Sequence, residues 1–199
     1  MDLFTPTSEL HPIPLQDAEL SFMERLVLPG DDGTDMLARL VAETAWRQDS
    51  ITVWNKVHLQ PRLSAWYGNA PYRYSGMLLE PLPFTALQLR LKEAVEAATG
   101  HRYNSVLLNY YRDEHDSMGM HADDERELGP APAIASLSFG AARTLVFKHK
   151  RLPLTSKLAL GDGSLLLMAG PTQRHWKHGI NKQRQHCGPR INLTFRHIY

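Results

Sequence analysis

After Gly100 the chain breaks into strand-sized segments, YNSVLLNYY, AIASLSFG, RTLVFKH, GSLLLMAG and RINLTFRHI, separated by Gly, Pro and other turn residues. Segments of this length with turn signals at this spacing predict an antiparallel sandwich or barrel. The last segment is the most restrictive. In RINLTFR, Arg190, Asn192, Thr194 and Arg196 alternate with Ile191, Leu193 and Phe195, so a strand places the polar set on one face and the apolar set on the other. The apolar face belongs in a core, and the polar face looks into a cavity. Two guanidiniums lining such a cavity are costly to desolvate without partners, whereas a small dicarboxylate pairs with them through bidentate contacts. VLLNYY presents Asn109 and Tyr111 in the same alternation and adds neutral hydrogen bonds.

Upstream the texture is helical. TDMLARLVAETAW, residues 34–46, places Met36, Leu37, Leu40 and Val41 on one stripe, and PFTALQLRLKEAVEAATG does the same with Leu87, Leu91 and Val95. Thr85 with Gln88 reads as a capping box and Gly100 as the stop of the second helix. A length of 199 residues with 43% hydrophobic side chains suits a single domain, 1–199. Within it we expect an irregular Pro-rich arm over 1–30 (Pro6, Pro12, Pro14), helices over 31–100 and the β-rich core over 101–199.

Composition removes several classes of function. The longest apolar run, LLLMA at 165–169, is far below the roughly 18 residues of a membrane span, so no membrane partner is expected. The first fifteen residues carry no Lys or Arg, and nothing there reads as a signal peptide. The single Cys187 excludes an internal disulfide and suits a reducing, cytoplasmic compartment; a monomer is expected. The net charge of +1 conceals an asymmetry: residues 140–199 hold eleven Lys or Arg against Asp162 alone, leaving eleven basic and twenty acidic residues in 1–139. Such a basic segment suits either a polyanion or a solvated face.

The chemistry-bearing residues lie in the β-rich part. In MGMHADDERELG, His121 and Asp123 are two apart, so on a strand or its extended end both leave the same face. An imidazole and a carboxylate converging on one point suit a divalent transition metal that a third ligand would complete. Three histidines of PTQRHWKHGINKQRQHCG could supply it: His175, His178 and His186. A metal beside a dicarboxylate pocket is the arrangement of the 2-oxoglutarate-dependent iron dioxygenases. A structural zinc site would call for more cysteines than this chain has.

The chain resembles the AlkB-like DNA and RNA dealkylases in NYYRDEHDSMGMHADDE, IASLSFGAARTLVFKHK, PTQRHWKHGI and PRINLTFR, and upstream in QPRLSAWYG and YRYSG. The resemblance covers about residues 50–199 in the family's order and is nearest to the branch that acts on duplex DNA. It implies an α+β fold: a double-stranded β-helix (jelly-roll) core with N-terminal helices packed on one sheet, and a nucleotide-recognition lid within 31–100. It implies His121, Asp123 and His178 as ligands of Fe(II), with Arg190 and Arg196 flanking 2-oxoglutarate and Asn109, Tyr111, Asn192 and Thr194 donating or accepting hydrogen bonds around it. Glu125 falls where the family places a carboxylate near the damaged base, with Asp124 its neighbour as a further substrate-binding candidate, and Tyr72 and Tyr74 match positions contacting the base or its backbone. Trp54, in ITVWNKVHLQPR, suits either a core position or a wedge replacing a flipped base, and Arg62 suits a phosphate. The implied reaction removes alkyl groups from base nitrogens, as in 1-methyladenine and 3-methylcytosine, using Fe(II), molecular oxygen and 2-oxoglutarate and releasing an aldehyde, succinate and carbon dioxide. The implied partner is alkylated DNA, single-stranded or duplex, or RNA. Competing readings are the same chemistry on RNA, a protein or a small metabolite, and a non-enzymatic nucleic-acid-binding module with a structural metal.

Overall fold

A computed structural model describes residues 9–28, 35–53, 56–69, 72–74, 77–79 and 81–199; for 51–53, 56, 72–74 and 77–79 it describes the backbone only. Strands β1 (His11–Ile13) and β2 (Glu19–Met23) open the chain and are followed by helix α1 (Met36–Glu43). Next come β3 (Ser50–Val53), β4 (Lys56–Leu59), β5 (Leu63–Gly68), β6 (Tyr72–Tyr74), β7 (Met77–Leu79) and helix α2 (Ala86–Thr99). The remainder is β8 (Ser105–Tyr111), β9 (Met118–His121), a 3-10 turn (Arg126–Leu128), β10 (Ile134–Gly140), β11 (Arg143–His149), β12 (Thr155–Leu160), β13 (Leu165–Ala169), the short helix α3 (Thr172–His175), β14 (Trp176–Ile180) and β15 (Arg190–Arg196).

The strands form a seven-stranded sheet, β1-β2-β13-β10-β15-β8-β5, facing a four-stranded sheet, β12-β11-β14-β9, with every pairing antiparallel. Two hairpins, β3-β4 and β6-β7, stand apart from both. This is the expected jelly-roll arrangement of two antiparallel sheets. Of the described helices, none is long and apolar enough to cross a membrane.

The helices cover the outer face of the large sheet. Met36 and Leu40 of α1 and Leu87, Leu91 and Val95 of α2 join Val106, Leu108, Leu137, Ile191, Leu193 and Phe195 in one apolar cluster. Burying each of these large apolar side chains contributes about 1.5–3 kcal/mol. Leu37 is half-buried and Val41 exposed, so the stripe of α1 is narrower than expected. Helix α2 begins with the reciprocal Thr85–Gln88 capping box and ends at Gly100 with φ 73°, a left-handed residue that glycine adopts without Cβ strain. A second cluster fills the space between the sheets, where Leu107, Tyr111, Ile134 and Leu166 meet Leu145, Phe147, Trp176 and Ile180.

Two expected boundaries are corrected. Residues 11–23 are not an irregular arm: β2 pairs with β13 in the register Leu165↔Met23 to Ala169↔Glu19, and β1 extends the sheet outward. Pro12 is compatible with β1 because that strand is the sheet edge. The β core also reaches back before residue 101, since β5 pairs with β8 from Leu63↔Tyr110 to Gly68↔Ser105. In both cases a partner distant in sequence supplies the ladder, which local pattern does not reveal.

Candidate metal and dicarboxylate site

The cavity between the sheets is built mainly from three neighbouring strands of the large sheet. All seven residues of β15 are buried, with Ile191, Leu193 and Phe195 in the helix-side cluster and the alternate residues facing the barrel interior. Register then aligns the polar rows: Asn192 lies between Asn109 of β8 and Ser138 of β10, Thr194 beside Ser136, and Arg190 beside Tyr111. Asn109, Tyr111, Ser136, Arg190, Asn192, Thr194 and Arg196 all line one cavity with His121, Asp123 and His178.

The polar rows are tied together. Ser136 Oγ donates to Asn192 Oδ1 at 2.8 Å, Asn192 Nδ2 donates to Thr194 Oγ1 at 2.8 Å, and Arg190 Nη2 donates to Ser138 Oγ and Asn192 Oδ1 at 2.9 Å each. Arg190 Nε and Nη1 are buried without a hydrogen-bond partner meeting ordinary geometry among the described residues. Burial lowers its pKa to about 10, opposed by Tyr111 and reinforced by the charge of Arg143, so the side chain remains a cation at neutral pH. The Tyr111 ring carries both cations, with the guanidinium carbon of Arg190 5.2 Å and that of Arg143 5.6 Å from its centroid. A buried cation with unsatisfied N–H groups facing a cavity is a receptor for a carboxylate.

Arg196 differs from Arg190. Its Nη2 donates to Asp123 Oδ1 at 2.7 Å, with both side chains buried. Burial alone would raise the Asp123 carboxyl, but the Arg196 charge, with His121 and His178, outweighs it and holds the pKa at about 2. The two arginines of the strand therefore have separate tasks. Arg196 fixes a carboxylate of the chain, and Arg190 is left for an anion from outside.

His121, Asp123 and His178 come from two antiparallel strands and the segment after one of them. His121 ends β9, Asp123 follows it, and His178 sits directly opposite His121 on β14. A bulge between His178 and Ile180 brings the strands close, and Gly179 permits it: a Cβ there would lie 2.8 Å from the Met118 carbonyl oxygen. The backbone N–H of Asp123 donates to Gln173 Oε1 of α3 at 3.0 Å. One donor atom from each of the three residues lies within 4.8 Å of the others, and Nε2 of each histidine is 3.9 Å from an oxygen of Asp123. His121 Nδ1 lies 2.9 Å from the Gly119 carbonyl, so it carries the proton and leaves Nε2 with its lone pair toward Asp123. Burial, then the charge of His121, pushes His178 down to about 3 against the opposing pull of Asp123, so it is neutral at pH 7. Asp123 Oδ2 is buried and accepts no hydrogen bond among the described residues. Two imidazole nitrogens and a carboxylate that has an unpartnered oxygen, converging on one point, fit a divalent transition metal with coordination positions left open.

The other expected residues are placed differently. Arg62 is buried, and its Nε donates to Asn109 Oδ1 at 2.8 Å, so it braces the dicarboxylate pocket and is not available to a phosphate at the surface. Asp124 is turned outward and pairs with Lys150 Nζ at 2.8 Å; Glu125 is half-buried at the start of the 3-10 turn, and neither lines the cavity. Trp54 lies outside the described residues, and Tyr72 and Tyr74 lie on β6 with side chains outside them. His175 is not an alternative to His178, because its ring stacks on His149 at 5.8 Å, away from Asp123; His186 is exposed and bonds to Glu114. Residues missed in the sequence are Ser136, Ser138, Arg143 and Gln173. The serines alternate with Leu137 and Phe139 in IASLSFG just as the polar set does in RINLTFR, so their signal was legible. Gln173 had none, because its role depends on where α3 lies.

With this geometry in view, comparison with known proteins assigns the chain. Residues 22–196 match the 2OG-Fe(II) oxygenase superfamily, and the chain belongs to that superfamily. Among its relatives, the human alpha-ketoglutarate-dependent dioxygenase alkB homolog 3 is 43% identical over 174 residues, covering 82% of this chain and 61% of that protein. The human DNA oxidative demethylase ALKBH2 is 43% identical over 158 residues, covering 74% and 60%. The chain thus spans about three fifths of the length of these relatives. The solved structure of OsALKBH1 shares the fold, with a TM-score of 0.62 at 16% identity over 94% of this chain and 99% of that one.

Proposed function

We propose that the chain oxidatively removes alkyl groups from base nitrogens in nucleic acid, DNA foremost, with Fe(II), oxygen and 2-oxoglutarate. The observation that carries the reading is the convergence of His121, Asp123 and His178 beside a buried cation, Arg190, in one cavity. The names of the relatives, a dioxygenase and a DNA oxidative demethylase, support the same chemistry. In this reading His121 Nε2, His178 Nε2 and Asp123 hold the metal. Bound there, Fe(II) would supply the oxidation that splits one oxygen molecule between the alkyl carbon and the cosubstrate, which leaves as succinate and carbon dioxide.

Arg190 pairs with the far carboxylate of 2-oxoglutarate, and the linked Ser136, Asn192 and Thr194 keep that guanidinium in place. Asn109, fixed by Arg62, and Tyr111 orient the rest of the cosubstrate. Arg196 keeps Asp123 ionised and directs its other oxygen to the metal. The hydroxylated alkyl group then collapses without a protein nucleophile: its O–H proton is lost, the C–N bond breaks toward the base nitrogen, and the carbon leaves as aldehyde. Incubating the chain with oligonucleotides bearing 1-methyladenine or 3-methylcytosine, single-stranded and duplex in parallel, should release formaldehyde and succinate in equal amounts, dependent on Fe(II) and 2-oxoglutarate. Absence of formaldehyde from both lesions in both forms rejects the reading, and turnover on methylated RNA alone transfers it to that substrate.

A further inference from the structure

A groove beside the barrel has no part in the site described above. It is formed where the residues after α2, the turn after Asp123 and the segment after β15 meet, and its volume is about 650 Å³, against about 40 Å³ for the barrel cavity. That is within the range of about 300–1,000 Å³ typical of ligand clefts. His101, Arg102, Arg126, His197 and Tyr199 line it, and the rest of its lining is Leu, Gly, Pro and Ala, so no side chain in it is acidic. Arg102 reaches Glu96 at 2.9 Å while its side chain stays 85% exposed, and Arg126 is exposed with no ion pair among the described residues.

The groove is rigid at its base. Asn104 exchanges two hydrogen bonds with the Ile198 backbone, at 2.7 and 2.8 Å, and the Tyr199 N–H donates to the Glu127 carbonyl at 3.0 Å. The Tyr199 ring lies against the Gly129 backbone and 4.8 Å from the His197 ring, yet the residue is 87% exposed. Along the chain the groove is close to the site: His197 follows Arg196, and Arg126 is three residues from Asp123, a span of at most about 11 Å.

We infer that this groove holds a single strand of nucleic acid next to the base entering the barrel, with Arg102 and Arg126 on phosphates and Tyr199 stacking on a base. A basic groove with an exposed aromatic ring is how strands are held without sequence preference, and a ring of this kind is open to an unpaired base but not to one inside a duplex. The inference rests on the dealkylase reading for why a strand is there, so binding and turnover are measured separately. Binding is read by fluorescence anisotropy with unmodified oligothymidine of about 15 nucleotides, near the upper site size of such grooves. Arg126→Glu should weaken binding about tenfold and reduce the slope of log affinity against log salt by about 0.7. Tyr199→Ala should weaken it about tenfold with the slope unchanged. Thermal melting of each variant within a degree or so of the parent confirms that the fold is intact. Parental affinity in both variants overturns the groove, as does equal displacement by polyglutamate of matched charge, which would mark a generic anion surface. Formaldehyde release from a methylated oligonucleotide by the unaltered chain is scored on its own: release with unaffected variant binding removes the groove alone, and no release removes the dealkylase reading and the strand's role as substrate.

Discussion

His121, Asp123 and His178 bring three donor atoms within 4.8 Å of one another, and so do Asp17, His149 and His175. The two clusters have the same composition and differ in what else their atoms touch. In the first, Asp123 is buried with Oδ2 unpartnered, and His121 has its proton committed to the Gly119 carbonyl, so lone pairs face the common point. In the second, His149 Nδ1 accepts the backbone N–H groups of Arg151 at 3.1 Å and Leu152 at 2.9 Å, which puts the ring proton on Nε2. His149 Nε2 lies 3.4 Å from Asp17 Oδ2, on a side chain 41% exposed, without forming a hydrogen bond to it. Metal ligation there would require stripping the proton and leaving an imidazolate. The second cluster instead joins the β1–β2 turn to the end of β11 and to α3. Donor identity and spacing do not make a metal site; tautomer and burial decide.

The sharpest break of this comparison is metal content. Asp123→Ala should lose both bound Fe(II) and 2-oxoglutarate decarboxylation, whereas Asp17→Ala and His175→Ala should keep both, with titration giving one metal per chain. Two metals per chain, or loss with His175→Ala, would refute the distinction. Next, Arg190→Met should leave metal binding intact and weaken 2-oxoglutarate by about 2–5 kcal/mol, read as a rise in KM for the cosubstrate.

Acid stability separates the clusters further. In metal-free protein the folded pKa of Asp123, about 2, lies below its ordinary value of 3.8, so its stabilisation is complete above the higher value and is lost as pH falls from the higher to the lower. Denaturant titrations from about pH 5 to about pH 2 should show this loss, and Asp123→Asn should flatten it. His149→Ala, which removes two exposed hydrogen bonds from the backbone N–H groups of Arg151 and Leu152, should cost about 0.5–1.5 kcal/mol per bond or less in the same titrations with metal content unchanged. Asp17→Asn, at a partly exposed pair, should cost about 1 kcal/mol or less.

Much of the site was legible because a strand's period of two is a local property. RINLTFR alone separates the cavity-facing Arg190, Asn192, Thr194 and Arg196 from the core-facing Ile191, Leu193 and Phe195, and MGMH with Asp123 places two donors on one side. The capping box of α2 and its stop at Gly100 were equally local. Arg62 was misjudged for the opposite reason: an arginine beside Pro61 looks like a surface cation until β5 is paired with β8, which turns it onto Asn109.

The sequence by itself determined which side chains share a strand face, where α2 starts and stops, and that two guanidiniums had to meet an anion inside a β structure. Only the tertiary structure showed that Arg196 pairs with Asp123 while Arg190 does not, placed His178 opposite His121 as the family resemblance implied, and set a hairpin from residues 11–23 at the edge of the large sheet. Periodicity constrains neighbours within a few residues, whereas these outcomes depend on register between strands tens of residues apart, set by the packing of both sheets together.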